Sequence, residues 1–320
     1  MKQAIAFLSG ISQLIRFPNL LIIILTQFLL RFALLEPFLY QDSGIEPSSL
    51  ADFMILVVVT ILIASGGYII NDYFDVKIDR INKPDKTVID RQVTARGAIA
   101  SHLVINGIAT VLGFYLAYRI HSISFGLIFP FIAIMLWFYS ASYKRTFLWG
   151  NIVVAFLSAF VILIVWLFEF FHLRLDAEAF AFLLKELGSV TRLFLAYALF
   201  AFLVSLFREI IKDMEDWEGD ERYGCRTLPL VIGMKRTRII AIILMAVNMV
   251  ILGYGMLILN RLHYTLAFWY FLAFVQVPVI YLIYRVSIAR SKADYHVAST
   301  ITKVIMLTGI LSMQVLTLHF

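Results

Sequence analysis

Nine apolar stretches of about 20 residues each run through this chain, near 19–40, 51–71, 99–118, 124–141, 149–171, 190–208, 238–259, 264–285 and 300–319. Each is long enough to cross the hydrocarbon core of a bilayer as a helix. In lipid a crossing segment must satisfy its own backbone hydrogen bonds, which leaves helices or a closed barrel, and stretches of this length select helices. Hydrophobic residues make up 62% of the 320 and charged residues only 15%, a balance that a soluble domain of this size cannot bury. The expected fold is therefore all-α: one polytopic membrane domain over 1–320, with about nine transmembrane helices around a central cavity. Residues 1–17 lack the features of a cleavable signal, because Gln3, Ser9, Ser12, Gln13 and Arg16 break their apolar run. They are expected to lie on the membrane surface as an amphipathic helix.

The basic residues orient the spans. With nine crossings, one face collects the N-terminus and the connections after the even spans, and it holds most of the 27 Lys and Arg. Only Arg119, Arg174, Lys185, Arg192 and Arg261 fall on the other face, and Arg31 lies within the first span. By the positive-inside rule the crowded face is cytoplasmic, at the inner membrane of the cell. Its two long connections, 72–98 and 208–238, are expected to be helical cap loops. Each begins as a continuation of its span and then turns basic, with Asn82-Lys83-Pro84-Asp85 ending the first helix.

Both connections open on aspartates. Asp72, Asp75 and Asp79 are spaced three and four residues apart, as are Asp213, Asp216 and Asp220. At about 100° per helical residue each trio falls within roughly 60° on one helix face. Stacked carboxylates repel unless a cation sits among them, and ionisable groups at membrane depth mark function. Asp is a first-shell ligand for Mg²⁺, which also takes waters and phosphate oxygens. Two such clusters facing each other can clamp a diphosphate, with Arg80, Lys83, Lys86, Arg91, Lys144, Arg145, Arg208 and Lys212 as further donors. Asn71, one turn before Asp75, can add an amide oxygen, whereas Glu215 and Glu218 lie off the aspartate face and are expected to be solvated. The six histidines show no ligand spacing and are expected in loops or at the interface. Cys225 stands alone, so no intrachain disulfide is possible.

Asn71-Asp72-Tyr73-Phe74-Asp75-Val76-Lys77-Ile78-Asp79-Arg80-Ile81-Asn82-Lys83-Pro84 resembles the NDxxDxxxD motif of the UbiA superfamily of intramembrane prenyltransferases. Asp216-Trp217-Glu218-Gly219-Asp220 resembles its DxxxD motif, Tyr139-Ser140-Ala141-Ser142-Tyr143-Lys144-Arg145 its YS…KR segment, and Arg16-Phe17-Pro18-Asn19 its entry to the first helix. The resemblance implies a nine-helix bundle, Mg²⁺ dependence, and transfer of a prenyl chain from a polyprenyl diphosphate to an acceptor. Carried over residue by residue, Asn71, Asp75, Asp216 and Asp220 contact metal, with Asp75, Asp216 and Asp220 as the catalytic carboxylates. Asp72, Asp79 and Asp213 are further ligands or hold neighbouring bases. Lys144 and Arg80 contact the diphosphate, Arg16 and Asn19 face the acceptor, and Lys83, Tyr139 and Lys212 complete the substrate-binding set.

The run from Arg208 to Asp220, followed by Gly224-Cys225-Arg226-Thr227-Leu228-Pro229, is similar to the archaeal-type branch, which alkylates the free hydroxyl of a prenylated glycerol phosphate. Trp217 stands where that branch usually carries a small aliphatic residue. The expected partners are therefore a polyprenyl diphosphate of the geranylgeranyl class, a lipid acceptor and membrane lipids, with no nucleic acid. An aromatic acceptor, as in quinone biosynthesis, keeps the chemistry and changes the partner. A cation-coupled secondary transporter is the reading from a different class, since carboxylates in membrane helices also bind coupling ions.

Overall fold

A computed structural model describes residues 12–40, 44–82, 88–89 and 91–318. Among these residues the chain is helical with no strand ladder. Nine helices are long and apolar enough to cross a membrane. The first crossing pairs α1 (Phe17–Leu29) with a wider π-helical stretch, Leu30–Tyr40, that contains Pro37. Then come α2 (Leu50–Asn82), α3 (Ala95–Arg119), α4 (Ile123–Ala141), α5 (Trp149–Leu173) and α6 (Ala177–Arg222). A short α7 (Leu228–Ile232) leads into α8 (Met234–Arg261). The eighth crossing is built from α9 (Thr265–Phe271), a π turn over Leu272–Gln276, and α10 (Val277–Ile288), and α11 (Lys292–Thr317) is the last. Side chains such as Val111, Tyr118, Val250 and Ile123 are at least 70% exposed, as lipid-facing residues must be. The protein is a multi-pass integral membrane protein.

The segments expected as cap loops are helical for longer than their names suggest. α2 runs unbroken to Asn82 and α6 to Arg222, so both aspartate trios ride on rigid helix. The surface helix expected for 1–17 lies mostly outside the described residues, as do Lys83 and Lys86.

The chain divides into two compact units that are not its two halves. One comprises Met1–Gln27, Glu46–Lys144 and Leu167–Leu183; the other comprises Phe28–Ile45, Arg145–Trp166 and Leu184–Phe320. In the first unit α2, α3 and α4 pack closely because glycines clear the way. A Cβ on Gly113 would lie 2.2 Å from the Phe129 ring, and one on Gly66 would lie 2.3 Å from the Asn106 amide. Small residues at such crossings let membrane helices approach and gain dispersion energy where no hydrophobic force acts between them. Glu169, 1% exposed on α5, accepts from both the backbone N–H and the hydroxyl of Ser48 at 2.8 Å, which pins the segment entering α2. Intramolecular hydrogen bonds of this kind contribute about 0.5–1.5 kcal/mol each.

The second unit is cored by Val204, Phe207, Ile210 and Met214 of α6 against Ala241, Met245, Val279, Leu282 and Ile305. Ser291 and Asp294 form a capping box at the start of α11. Arg31, in the π stretch, is buried and reaches Glu36 at 3.7 Å, so this cation within a span is paired inside the protein. One histidine corrects the expectation of loop or interface positions. His102 is buried in α3, with Nδ1 2.8 Å from the Gly66 carbonyl, because α2 passes close enough there to offer a backbone acceptor.

Candidate functional site

The first carboxylate set begins where α2 leaves the hydrocarbon. At 1.5 Å per residue, about 20 residues from Leu50 consume the 30 Å apolar core, and Asn71 is the next residue. Asn71 and Asp75 are buried one helical turn apart, and Asn71 Nδ2 donates to Asp75 Oδ2 at 2.9 Å. The Lys144 ammonium, from the 3₁₀ turn Tyr143–Arg145 after α4, donates to Asn71 Oδ1 at 3.2 Å and to Asp75 Oδ2. Burial pushes the Lys144 ammonium down, but the Asp75 charge and hydrogen bond outweigh it and hold the group above the usual lysine range. Asp79 and Tyr139 add to that hold. Both are half-buried, Asp79 on α2 and Tyr139 on α4.

Asp72 is held by a different cation. Arg16 Nη2 lies 2.6 Å from Asp72 Oδ1, and the guanidinium stands over the Tyr68 ring at 5.1 Å. Burial lowers the Arg16 pKa, but the charge and hydrogen bond of Asp72 more than reverse this, so the guanidinium stays charged. Arg16 has φ 54°, in the left-handed region that costs a non-glycine residue about 1–2 kcal/mol. That turn sets the start of α1, where the Asn19 N–H bonds the Arg16 carbonyl at 2.8 Å. Arg16 and Lys144, expected to meet substrate, are thus found on the aspartates. The Arg80 side chain and Lys83 lie outside the described residues.

The second set rides on α6, with Asp213, Asp216 and Asp220 half-buried while Ile210, Ile211 and Met214 face the core. Asp213 Oδ2 accepts from the Asn151 amide of α5 at 2.8 Å. Lys212, expected to bind substrate, lies 3.0 Å from Glu209, which also takes Arg208 at 2.7 Å. Glu215 corrects the expectation that it is solvated. It is 8% exposed and lies 2.8 Å from His296 Nδ1, because α11 covers the side of α6 that the aspartates leave. Glu218 is exposed as expected. Beyond Arg222 the chain turns at Gly224, φ 66°, and the Cys225 N–H bonds the Asp220 carbonyl at 2.9 Å.

Two residues that the motifs do not mark help build these surroundings: Asn151 and His296. Asn151 follows a glycine at the mouth of an apolar run, where a polar residue reads as an ordinary helix start. Nothing in a single sequence pairs it with Asp213.

The donor chemistry fits Mg²⁺, which takes one or two protein carboxylates and completes its octahedron with water and substrate phosphate. Among the described residues no three acidic, His or Cys side chains form a ready cage. Yet the hard oxygens of Asn71 and Asp75 already converge on a cation, the Lys144 ammonium.

These features define a class: a polytopic membrane protein with carboxylate-rich helix extensions suited to a metal–phosphate ligand. Residues 19–304 match the UbiA prenyltransferase family, and the chain belongs to that family. It is 30% identical, over 81% of its length and 82% of the relative, to the digeranylgeranylglyceryl phosphate synthase of Methanosarcina mazei. Shorter alignments to other synthases of that name cover about 60% of them. Among solved structures, one giving structural and mechanistic insights into digeranylgeranylglyceryl phosphate synthase in membranes superposes with a TM-score of 0.62 at 21% identity, over 100% of both chains. A UbiA homolog from Archaeoglobus fulgidus bound to GPP and Mg²⁺ gives 0.55 at 16% identity, over 95% of this chain and 99% of that one. These two likenesses establish the fold.

Proposed function

We propose that this protein transfers a geranylgeranyl-class prenyl group from its diphosphate to the free hydroxyl of a prenylated glycerol phosphate. The observation that carries the reading is the similarity to a synthase of that name over four-fifths of the chain. The metal-competent oxygens of Asn71 and Asp75 at the membrane exit of α2 agree with it. In the reaction the allylic C–O bond to the diphosphate breaks and a C–O bond to the acceptor forms. Pyrophosphate departs, and the hydroxyl proton passes to solvent or to the leaving group.

Mg²⁺, when bound, neutralises the negative charge that builds on departing pyrophosphate. Asp75 and Asn71 would hold it at the first set, and Asp213, Asp216 and Asp220 at the second, with Asp72 and Asp79 in support. The Lys144 ammonium, beside Asn71 and Asp75, would serve as a donor to a phosphate oxygen of the bound diphosphate. Arg16 and Asn19 mark the acceptor end. The excess of basic residues in the connections after the even-numbered spans supports a cytoplasmic placement of both aspartate sets.

Purified protein supplied with geranylgeranyl diphosphate, Mg²⁺ and either prenylglycerol phosphate or dihydroxynaphthoate tests the reading. Pyrophosphate release with the lipid acceptor is expected, abolished by a chelator and reduced about 10²–10³-fold by Asp75→Ala or Asp216→Ala, as loss of a transition-state electrostatic group does. Product from the aromatic acid alone would overturn the acceptor. Near-wild-type turnover in both aspartate variants would overturn the site.

A further inference from the structure

The least explained polar group beside the aspartates is Asn151. It is 6% exposed, in the first turn of α5, and its amide nitrogen donates to Asp213 Oδ2 at 2.8 Å. We propose that Asn151 is a positioning residue for the second carboxylate set: it locks the Asp213 side chain so that Oδ1 remains available to the metal–diphosphate. This deepens the metal reading given above and rests on it.

The choice of residue is informative. Three carboxylates on one helix face repel, and a lysine opposite Asp213 would quiet that repulsion while competing with a divalent cation. An asparagine amide orients one oxygen by hydrogen bonding and brings no net charge. Outer partners that fix a ligating carboxylate in this way commonly alter metal affinity 10- to 100-fold when removed.

The backbone around Asn151 is built to hold it there. Leu148 adopts φ 59°, a left-handed conformation uncommon for leucine, and the Trp149 N–H closes a tight turn on the Phe147 carbonyl at 2.7 Å. Upstream, the Arg145 carbonyl accepts the Arg226 N–H at 2.9 Å. The segment 145–151 therefore grips the second motif at two places: at Asp213, where it starts, and at Arg226, beyond its end. A strained turn held between two tertiary bonds is the arrangement expected where geometry must be kept.

The test compares Asn151→Leu, Asn151→Asp, Asp213→Ala and Asp213→Ala/Asn151→Leu in the full-length protein in detergent. Mn²⁺ binding in the presence of pyrophosphate is read by electron paramagnetic resonance, alongside the Mg²⁺ concentration giving half-maximal turnover. Asn151→Leu is expected to weaken Mn²⁺ binding and raise the Mg²⁺ requirement at least about 10-fold, with most turnover restored at saturating Mg²⁺. Asn151→Asp, which keeps the shape and adds a like charge, is expected to be worse, and the double variant no worse than Asp213→Ala. If Asn151→Leu does not fold, Asn151→Asp is read by the same criterion. Mn²⁺ binding within twofold of wild type in the Asn151 variants, with Asp213→Ala impaired, would remove the positioning role and leave the metal reading intact. Normal Mn²⁺ binding in both Asp213→Ala and Asp216→Ala would remove both.

Discussion

Lys144 and Asp75 offer a prediction in which stability and activity come apart. The Asp75 side chain is 5% exposed and that of Lys144 36%. Breaking a fully buried ion pair costs about 3–5 kcal/mol because a charge is left stranded, whereas exposed pairs are worth about 0–1 kcal/mol. With one partner over a third exposed, water screens part of the interaction, and Lys144→Met should cost about 1–3 kcal/mol. Asp75→Asn should cost less, since the freed ammonium can turn to solvent while an amide stays beside Asn71. In Lys144→Met/Asp75→Asn no charge is stranded, so at least about 1 kcal/mol of the Lys144→Met loss should return. Each kcal/mol corresponds to about 2–4 °C in Tm for chains of 150–250 residues, which intrinsic-fluorescence melting in detergent resolves. Turnover should not return, because both singles and the double lack a group that the proposed reaction uses to hold metal or diphosphate. Melting shifts that simply add, within about 0.3–0.5 kcal/mol, would refute the claim that Lys144 compensates a buried Asp75 charge.

Gly113→Ala should lower Tm by the equivalent of about 1–3 kcal/mol, the usual cost of overpacking, because its Cβ meets the buried Phe129 ring. Gly107→Ala, with open space around the new methyl, should be neutral or stabilising, and equal melting of the two would refute the close α3–α4 crossing. For orientation, Lys77→Cys, exposed on α2, should react with a membrane-impermeant maleimide in sealed inside-out vesicles and not in intact cells; the reverse pattern would place the carboxylates outside.

The spans were legible because lipid leaves a helix few options: each apolar stretch marked in the sequence lies on one of the nine candidate crossings, although α2 and α6 run more than ten residues beyond theirs. The aspartate faces were legible too, since helical periodicity alone stacks Asp72 with Asp75 and Asp79. Their partners were not. Charge complementarity allows any base near an aspartate, and only the turn at Arg16, with its left-handed φ, and the 3₁₀ turn at Lys144 decide which base meets which acid. The burial of Glu215 was not legible either, because periodicity says which face a residue occupies and not what lies against that face, and α11 lies against it. Asn151 carries no periodic or compositional signal at all.

That asymmetry has a physical origin in how the carboxylates are mounted. α2 and α6 leave the bilayer as unbroken helix, so the spacing within each trio is set by the 1.5 Å rise and 100° turn of a helix already fixed by its span. A loop would have to pay ordering entropy residue by residue to reach the same geometry. Groups that must hold a metal within a few tenths of an ångström are better carried on such extensions, and their pattern is then printed in the sequence. The groups that tune them come from the turns that open α1 and α5, where a single left-handed residue decides direction, and from the 3₁₀ turn after α4. Arg16 and Leu148, both non-glycine and both with positive φ, stand at two of those decisions. Replacing either by glycine would relieve the strain and release the direction together.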